Sequence, residues 1–133
     1  MSSGLPDRVQ RFLGAHISSI EELEVLLLMR RTAEREWSAA AMAREIGSSK
    51  MSIQDRFGGL ASRGLLVARE DGEDIVYRYA PADDDTRRTI DDLAQAYKER
   101  RLSVINHIYA TPPPSDIQSF SDAFRITKKG KEG

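Results

Sequence analysis

Three residues between Trp37 and Tyr79 restrict this chain more than any others. Ala43, Gly47 and Ile53 stand four and six positions apart. A small side chain at 43 lets two helices approach closely. Gly47 supplies the positive φ of a tight turn. Ile53 then fills the gap from the second helix. Ser38 is a good N-cap for a helix over Ala39 to Ile46, and Ser49 for one over Lys50 to Arg63. In the second, Ile53, Phe57, Leu60 and Ala61 share the inward side. Gly58 and Gly59 lie inside it, at a cost of roughly 1 kcal/mol each against Ala, and Gly64 is the stop.

Two short apolar runs follow, Leu65 to Glu70 and Ile75 to Ala80, with Asp71-Gly72 between them as the turn pair. Alternation puts Ile75, Tyr77 and Tyr79 on one face and Val76, Arg78 and Ala80 on the other. Trp37 precedes the first cap, where burial or pairing with a sheet edge is expected.

Upstream, Ser19 and Glu22 have capping-box spacing before the apolar set Ile20, Leu23 and Leu27. Leu26, Leu28 and Met29 widen that stripe, as in a helix packed on two sides, placed from Ile20 to Glu34. Downstream, Asp84 to Ala110 reads as one long helix. Its stripe is Ile90, Leu93, Tyr97, Val104 and Ile108, and a second consists of Leu102, Ile105 and Tyr109. This is more apolar surface than one small domain needs. The expected organisation is therefore an arm at 1–17, a central domain at 18–82, a long helix at 83–110, and a C-terminal segment at 111–133. In the arm, Asp7 to Leu13 reads as a short helical turn with Val9, Phe12 and Leu13 inward, or as a segment that packs only partly. In the last segment, Ile117, Phe120 and Phe124 suggest a short helix, and Lys128, Lys129 and Lys131 a disordered basic tail.

Composition excludes several functions. The chain of 133 residues has no cysteine, so disulfides, thiolate metal sites and Cys nucleophiles are out. His16 and His107 are far apart, with no ligand spacing around either. No enzyme constellation, metal site or cofactor is expected. The longest apolar run is Val25 to Met29, so neither a membrane span nor a signal peptide is expected, and the location is expected to be cytoplasmic. The formal net charge is -1, and from Trp37 to Ala80 six cations meet six carboxylates. Bulk charge gives no help towards nucleic-acid affinity.

From Ser19 to Ala80 the chain resembles bacterial winged-helix transcriptional regulators of the broad MarR-like and ArsR-like group. The resemblance rests on Ser38, Ala43, Ile46, Gly47, Ile53, Leu60, Gly64, Leu65 and the Asp71-Gly72 hairpin. It implies a mainly α fold with a small β-hairpin wing: a winged helix-turn-helix plus a long C-terminal helix. It also implies that Ser49, Lys50, Ser52, Gln54 and Arg56 face double-stranded DNA, with Arg69 and Arg78 near the wing. The flanking helices resemble dimerisation helices, which would give Ile90, Leu93, Tyr97, Val104 and Ile108 to a homodimer contact. Two features depart from the pattern. The outermost line of the second helix, Met51, Asp55, Gly58 and Ser62, has no cation. The wing tip, Glu70 to Asp74, carries four carboxylates that repel phosphates. A protein-interaction module is the alternative, with Met51, Gly58 and Gly59 as a flat surface for a protein partner.

Overall fold

A computed structural model describes residues 4–110. In chain order the elements are α1 (Asp7–His16), α2 (Ile20–Arg31), β1 (Trp37–Ser38), α3 (Ala39–Ile46), α4 (Lys50–Ser62), β2 (Leu66–Asp71), β3 (Asp74–Tyr79), α5 (Asp84–Glu99) and α6 (Arg101–Ala110). The strands form one antiparallel sheet in the order β1-β3-β2. The fold is mainly helical with a small sheet, as expected.

Local chemistry sets the helix boundaries. The side chains of Ser19, Ser38, Ser49 and Asp83 each accept a backbone N–H at the start of α2, α3, α4 and α5. The Ser19 box closes differently from expectation. Ser19 Oγ accepts the Glu22 N–H at 3.0 Å, but the Glu22 carboxylate turns back to the N–H and hydroxyl of Ser18, not to Ser19. α2 stops at Arg31, short of Glu34, where the Thr32 hydroxyl bonds the Leu28 carbonyl and accepts the Trp37 indole N–H. Trp37 is buried and pairs with Tyr77, so it takes the sheet-edge role.

The turn between α3 and α4 follows the spacing. Gly47 has φ +85°, and its N–H and that of Ser48 both bond the Ala43 carbonyl. Ala43 and Ile53 are buried on either side of it. The hairpin differs in detail. Asp71 pairs with Asp74, so Gly72-Glu73 is the two-residue loop, one step later than the expected pair. Gly72 has positive φ and Glu73 does not, the φ pattern of a type II′ turn. Tyr77 and Tyr79 face inward, with Tyr77 against Phe57 at 4.5 Å between ring centroids, while Ile75 at the tip is exposed.

One apolar cluster runs through all the helices. Leu23, Val25, Leu26 and Met29 of α2 are fully buried, each contributing roughly 1.5–3 kcal/mol. The segment before Ser18 is more than an arm. α1 is a full helix whose Val9, Phe12 and Leu13 enter the core, and Arg8 is bonded to Asp92 of α5 at 2.6 Å.

The expected long helix is two helices. At Arg100 the chain turns out of helical geometry, with φ -135° and ψ 54°. A straight helix from 84 to 110 would be about 40 Å long and would leave its end unpacked. The break returns α6 to α1, where Val104 and Ile108 are buried. Ile90, Leu93, Val104 and Ile108 thus belong to this chain's own core, and Tyr97 packs half-buried against it. The stripe assigned to a second copy faces inward instead. The apolar side chains left exposed on α6 are Leu102 and Tyr109. The expectations for Ile117, Phe120, Phe124 and the lysine tail lie outside the described residues.

Candidate nucleic-acid interface

α4 carries most of the sequence-derived interface, and its contacts divide that set. Ile53, Phe57 and Leu60 anchor it in the core. Ser52 and Arg56, four residues apart, line the side of α4 that meets α2, and Ser48 in the preceding turn lies in line with them. All three hold one carboxylate, Glu21. The Ser48 hydroxyl donates to Oε2, the Ser52 hydroxyl to Oε1, and Arg56 Nε to Oε1 at 2.9 Å. Burial pushes the Glu21 carboxyl up, but these donors outweigh it and the net shift is downward. Ser52 and Arg56 therefore serve the seating of α4 and are turned from the outer side they were assigned to. Ser49 is occupied as the cap, accepting the Ser52 N–H at 3.1 Å.

The outward side of α4 presents Lys50, Met51, Gln54, Asp55, Gly58 and Ser62, all exposed. Lys50 and Gln54 make no hydrogen bond or ion pair among the described residues. The expected outer line of Met51, Asp55, Gly58 and Ser62 is in place, with Lys50 at its N-terminal end.

The far end of α4 is tied down by a buried ion pair. Arg63 Nη2 donates to Glu22 Oε2 at 3.0 Å, and the Glu22 side chain is 3% exposed. Gly59 makes room for it: a Cβ there would lie 3.0 Å from the Arg63 guanidinium and 3.5 Å from Glu22 Oε2. A glycine that costs helix propensity is thus explained by close approach. Breaking such a pair by removing one partner is strongly destabilising, because it leaves a buried charge alone.

On the wing, Arg69 and Arg78 share the face opposite Tyr77 and Tyr79. Arg69 is held bidentately by Glu36, Nε to Oε2 at 2.8 Å and Nη2 to Oε1 at 2.6 Å. That contact keeps the Glu36 carboxyl below the usual carboxylate range, with Arg78 adding to the effect through space. The pair is exposed, and bidentate geometry rather than burial gives it order. The tip, Asp71 to Asp74, is fully exposed, and its three carboxylates remain unfavourable to phosphate.

The seven sequence-derived residues thus separate into three kinds. Lys50, Gln54 and Arg78 are exposed, without a hydrogen bond or salt bridge among the described residues. Ser52, Arg56 and Arg69 are each held by a carboxylate, and Ser49 is a cap. Sequence reading missed Glu21 and Glu36, and the Arg63 pairing of Glu22, which it had assigned only to a capping box. No spacing signals them, because their partners are 27 to 41 residues away. Among the described residues no group of three or more His, Asp or Glu is placed to hold a metal ion. No helix there is long and apolar enough to cross a membrane.

Helix, turn, helix and two-stranded wing, with β1 closing the sheet, define the winged helix-turn-helix class. A domain from Mycobacterium bovis described as a homodimeric winged helix-turn-helix DNA-binding domain, fragment 1–100, of a possible ArsR-family transcriptional regulator has this fold. It is 26% identical, with a TM-score of 0.53 over 71% of this chain and 82% of that one. ZitR of Lactococcus lactis aligns at 14% identity and TM-score 0.49 over 93% of this chain and 95% of that one. The adhesin competence repressor of Streptococcus pyogenes aligns at 10% and 0.48 over 86% and 83%. At that distance the last two add nothing to the functional reading. No protein-family model and no curated relative matches the chain. The chain thus has the winged helix-turn-helix fold that the M. bovis domain shows, with no narrower subfamily defined by its motifs.

Proposed function

We propose that this protein is a DNA-binding transcriptional regulator that acts as a homodimer and reads the major groove with α4. The observation that carries this is the seating of α4. Its inner side is locked by the core, by Glu21 and by the Glu22–Arg63 pair, while its N-terminal outer side offers an unengaged cation, Lys50, and an amide, Gln54. A Gln side chain can pair with adenine, and a Lys with guanine or phosphate. The M. bovis neighbour is described as a homodimeric DNA-binding domain, which supports the same use of this fold. With the stripe on α5 and α6 buried, the dimer contact passes to the exposed Leu102 and Tyr109, two helical turns apart on α6.

The test is duplex binding by fluorescence anisotropy between 50 and 200 mM salt. Affinity is expected to fall with salt, and Lys50→Ala to lower the slope of log K against log salt by about 0.9. Arg56→Ala should act differently, through loss of the Glu21 seat. No binding of any genomic duplex at low salt would sink the proposal. Met51, 73% exposed on the outer side of the first turn of α4, favours a second reading in that event, a surface for a protein partner.

A further inference from the structure

α4 carries two adjacent glycines inside a helix, and among the described residues the fold accounts for only one of them. Gly59 makes room for the Glu22–Arg63 pair, whose guanidinium a Cβ would meet at 3.0 Å. Gly58 has no such neighbour. A Cβ there would meet nothing within 4 Å outside the helix's own backbone, and the residue is exposed. Its φ is not positive, so no turn conformation asks for glycine either. In a helix interior glycine is the least favoured residue after proline. The outer side of α4 thus carries a helix-weakening residue with no internal reason for it. Glycine serves elsewhere to let another surface come close to the backbone.

Met51 stands on the same line, seven positions earlier. That is two turns, about 10 Å along the helix. Its side chain is 73% exposed, whereas Met29 and Met42 are fully buried. Between Met51 and Gly58 come Gln54 and Asp55, both exposed. The line therefore offers an apolar tip, an amide, a carboxylate and then bare backbone. The first three have counterparts on base edges in the major groove. The thymine C5-methyl takes an apolar contact, adenine pairs with an amide, and the cytosine amino group donates to a carboxylate. The groove is about 12 Å wide, and a helix with its side chains is about 10–12 Å across. The fit is close, so a missing side chain brings the helix nearer to the groove wall.

We propose that Gly58 is a DNA-contact glycine, and that the close approach it permits sets Met51 on a thymine methyl, which makes thymine a determinant of the sequence selected. This rests on the reading of α4 as the DNA-binding helix, and adds to it the base that is read and the residue that permits it. Lys50 and Gln54 beside Met51, both unengaged and both matched to base edges, favour DNA over a protein surface.

The test starts from a duplex selected by the full chain from a random-sequence pool at low salt. Gly58→Ala is expected to raise the urea midpoint, because alanine favours the helix and meets no obstacle. It should nevertheless weaken the duplex by about fivefold or more, the effect of a methyl forced into a close contact. A glycine needed only by the fold would lower stability and binding together. Replacing each thymine in turn by deoxyuridine removes only the C5-methyl. At one position or more this should weaken the parent protein by about fourfold, the worth of one buried carbon. Met51→Ala should bind the thymine and deoxyuridine forms alike. Unchanged affinity or a lowered urea midpoint for Gly58→Ala, indifference to every thymine replacement, or a thymine effect that persists in Met51→Ala would overturn the inference and leave DNA binding in place. A pool that yields no bound duplex would overturn the DNA reading and this inference with it, in favour of the protein partner.

Discussion

Tyr79 shows how a single polar atom can oppose the fold that buries it. Its ring fills the inner face of β3, and its hydroxyl is buried with no hydrogen-bond partner among the described residues. Burial pushes the phenol up to about 12. Tyr79→Phe removes the orphan and keeps the ring, so it should be neutral or stabilise by up to about 1 kcal/mol, as read from urea unfolding. Acid should act through two other side chains. His16 is held below its ordinary value by burial first and by the Arg63 guanidinium second, with Glu22 opposing. A depressed histidine contributes stability that is complete above about pH 6.5 and is lost as pH falls from there through its folded value. Glu21, also depressed, contributes stability above its unfolded value near 4.5 that is lost below it. Melting temperature should therefore fall in two stages on acidification, and His16→Gln should abolish the upper one. A flat profile between pH 7.5 and 5.5 would contradict this account of His16.

At the scale of elements, the caps and the turn behave as local chemistry requires. Gly47 has open space around the position of a Cβ, so its requirement is one of backbone conformation alone. Gly47→Ala should cost about 1–2 kcal/mol, the penalty of an L-residue in the left-handed region, and Gly47→Asn less, both measured as shifts in denaturant midpoint. These features were legible in the sequence because they involve neighbours within six residues. The break at Arg100 was not. The apolar stripe runs through it with helical spacing, and only the position of α1 makes a bend more favourable than a straight continuation. The wing loop also moved by one residue, because pairing across the hairpin, not the presence of a turn dipeptide, sets the register.

For the whole molecule, burial reassigns surfaces. Four of the five side chains proposed for a dimer contact are in the chain's own core, and the fifth packs against it, once α1 docks on α5 and α6. The proposed homodimer would then depend on Leu102 and Tyr109, the large apolar side chains left exposed on α6. Light scattering should give a mass near twice 14.9 kDa, and Leu102→Glu should reduce it to that of one chain. A monomeric parent protein would refute the dimer. The net charge of -1 likewise hides a local distribution. Acids from α2 and from the segment before β1 engage Arg56, Arg63 and Arg69, while Lys50 on α4 and Arg78 on β3 stay exposed with no ion pair among the described residues.

By itself the sequence determined the class of fold, the capped starts of α2, α3 and α4, the Gly47 turn and the inward side of α4. Each of these is a short-range matter of hydrogen bonds, sterics and periodicity. Only the tertiary structure decided which polar residues remain available. Glu21, Glu22 and Glu36 find their partners across 27 to 41 residues of chain. An ion pair at that separation exists only after the helices have packed, so no local pattern can announce it. The same packing separates the seven residues of the motif into three that face outward and four that hold the motif together.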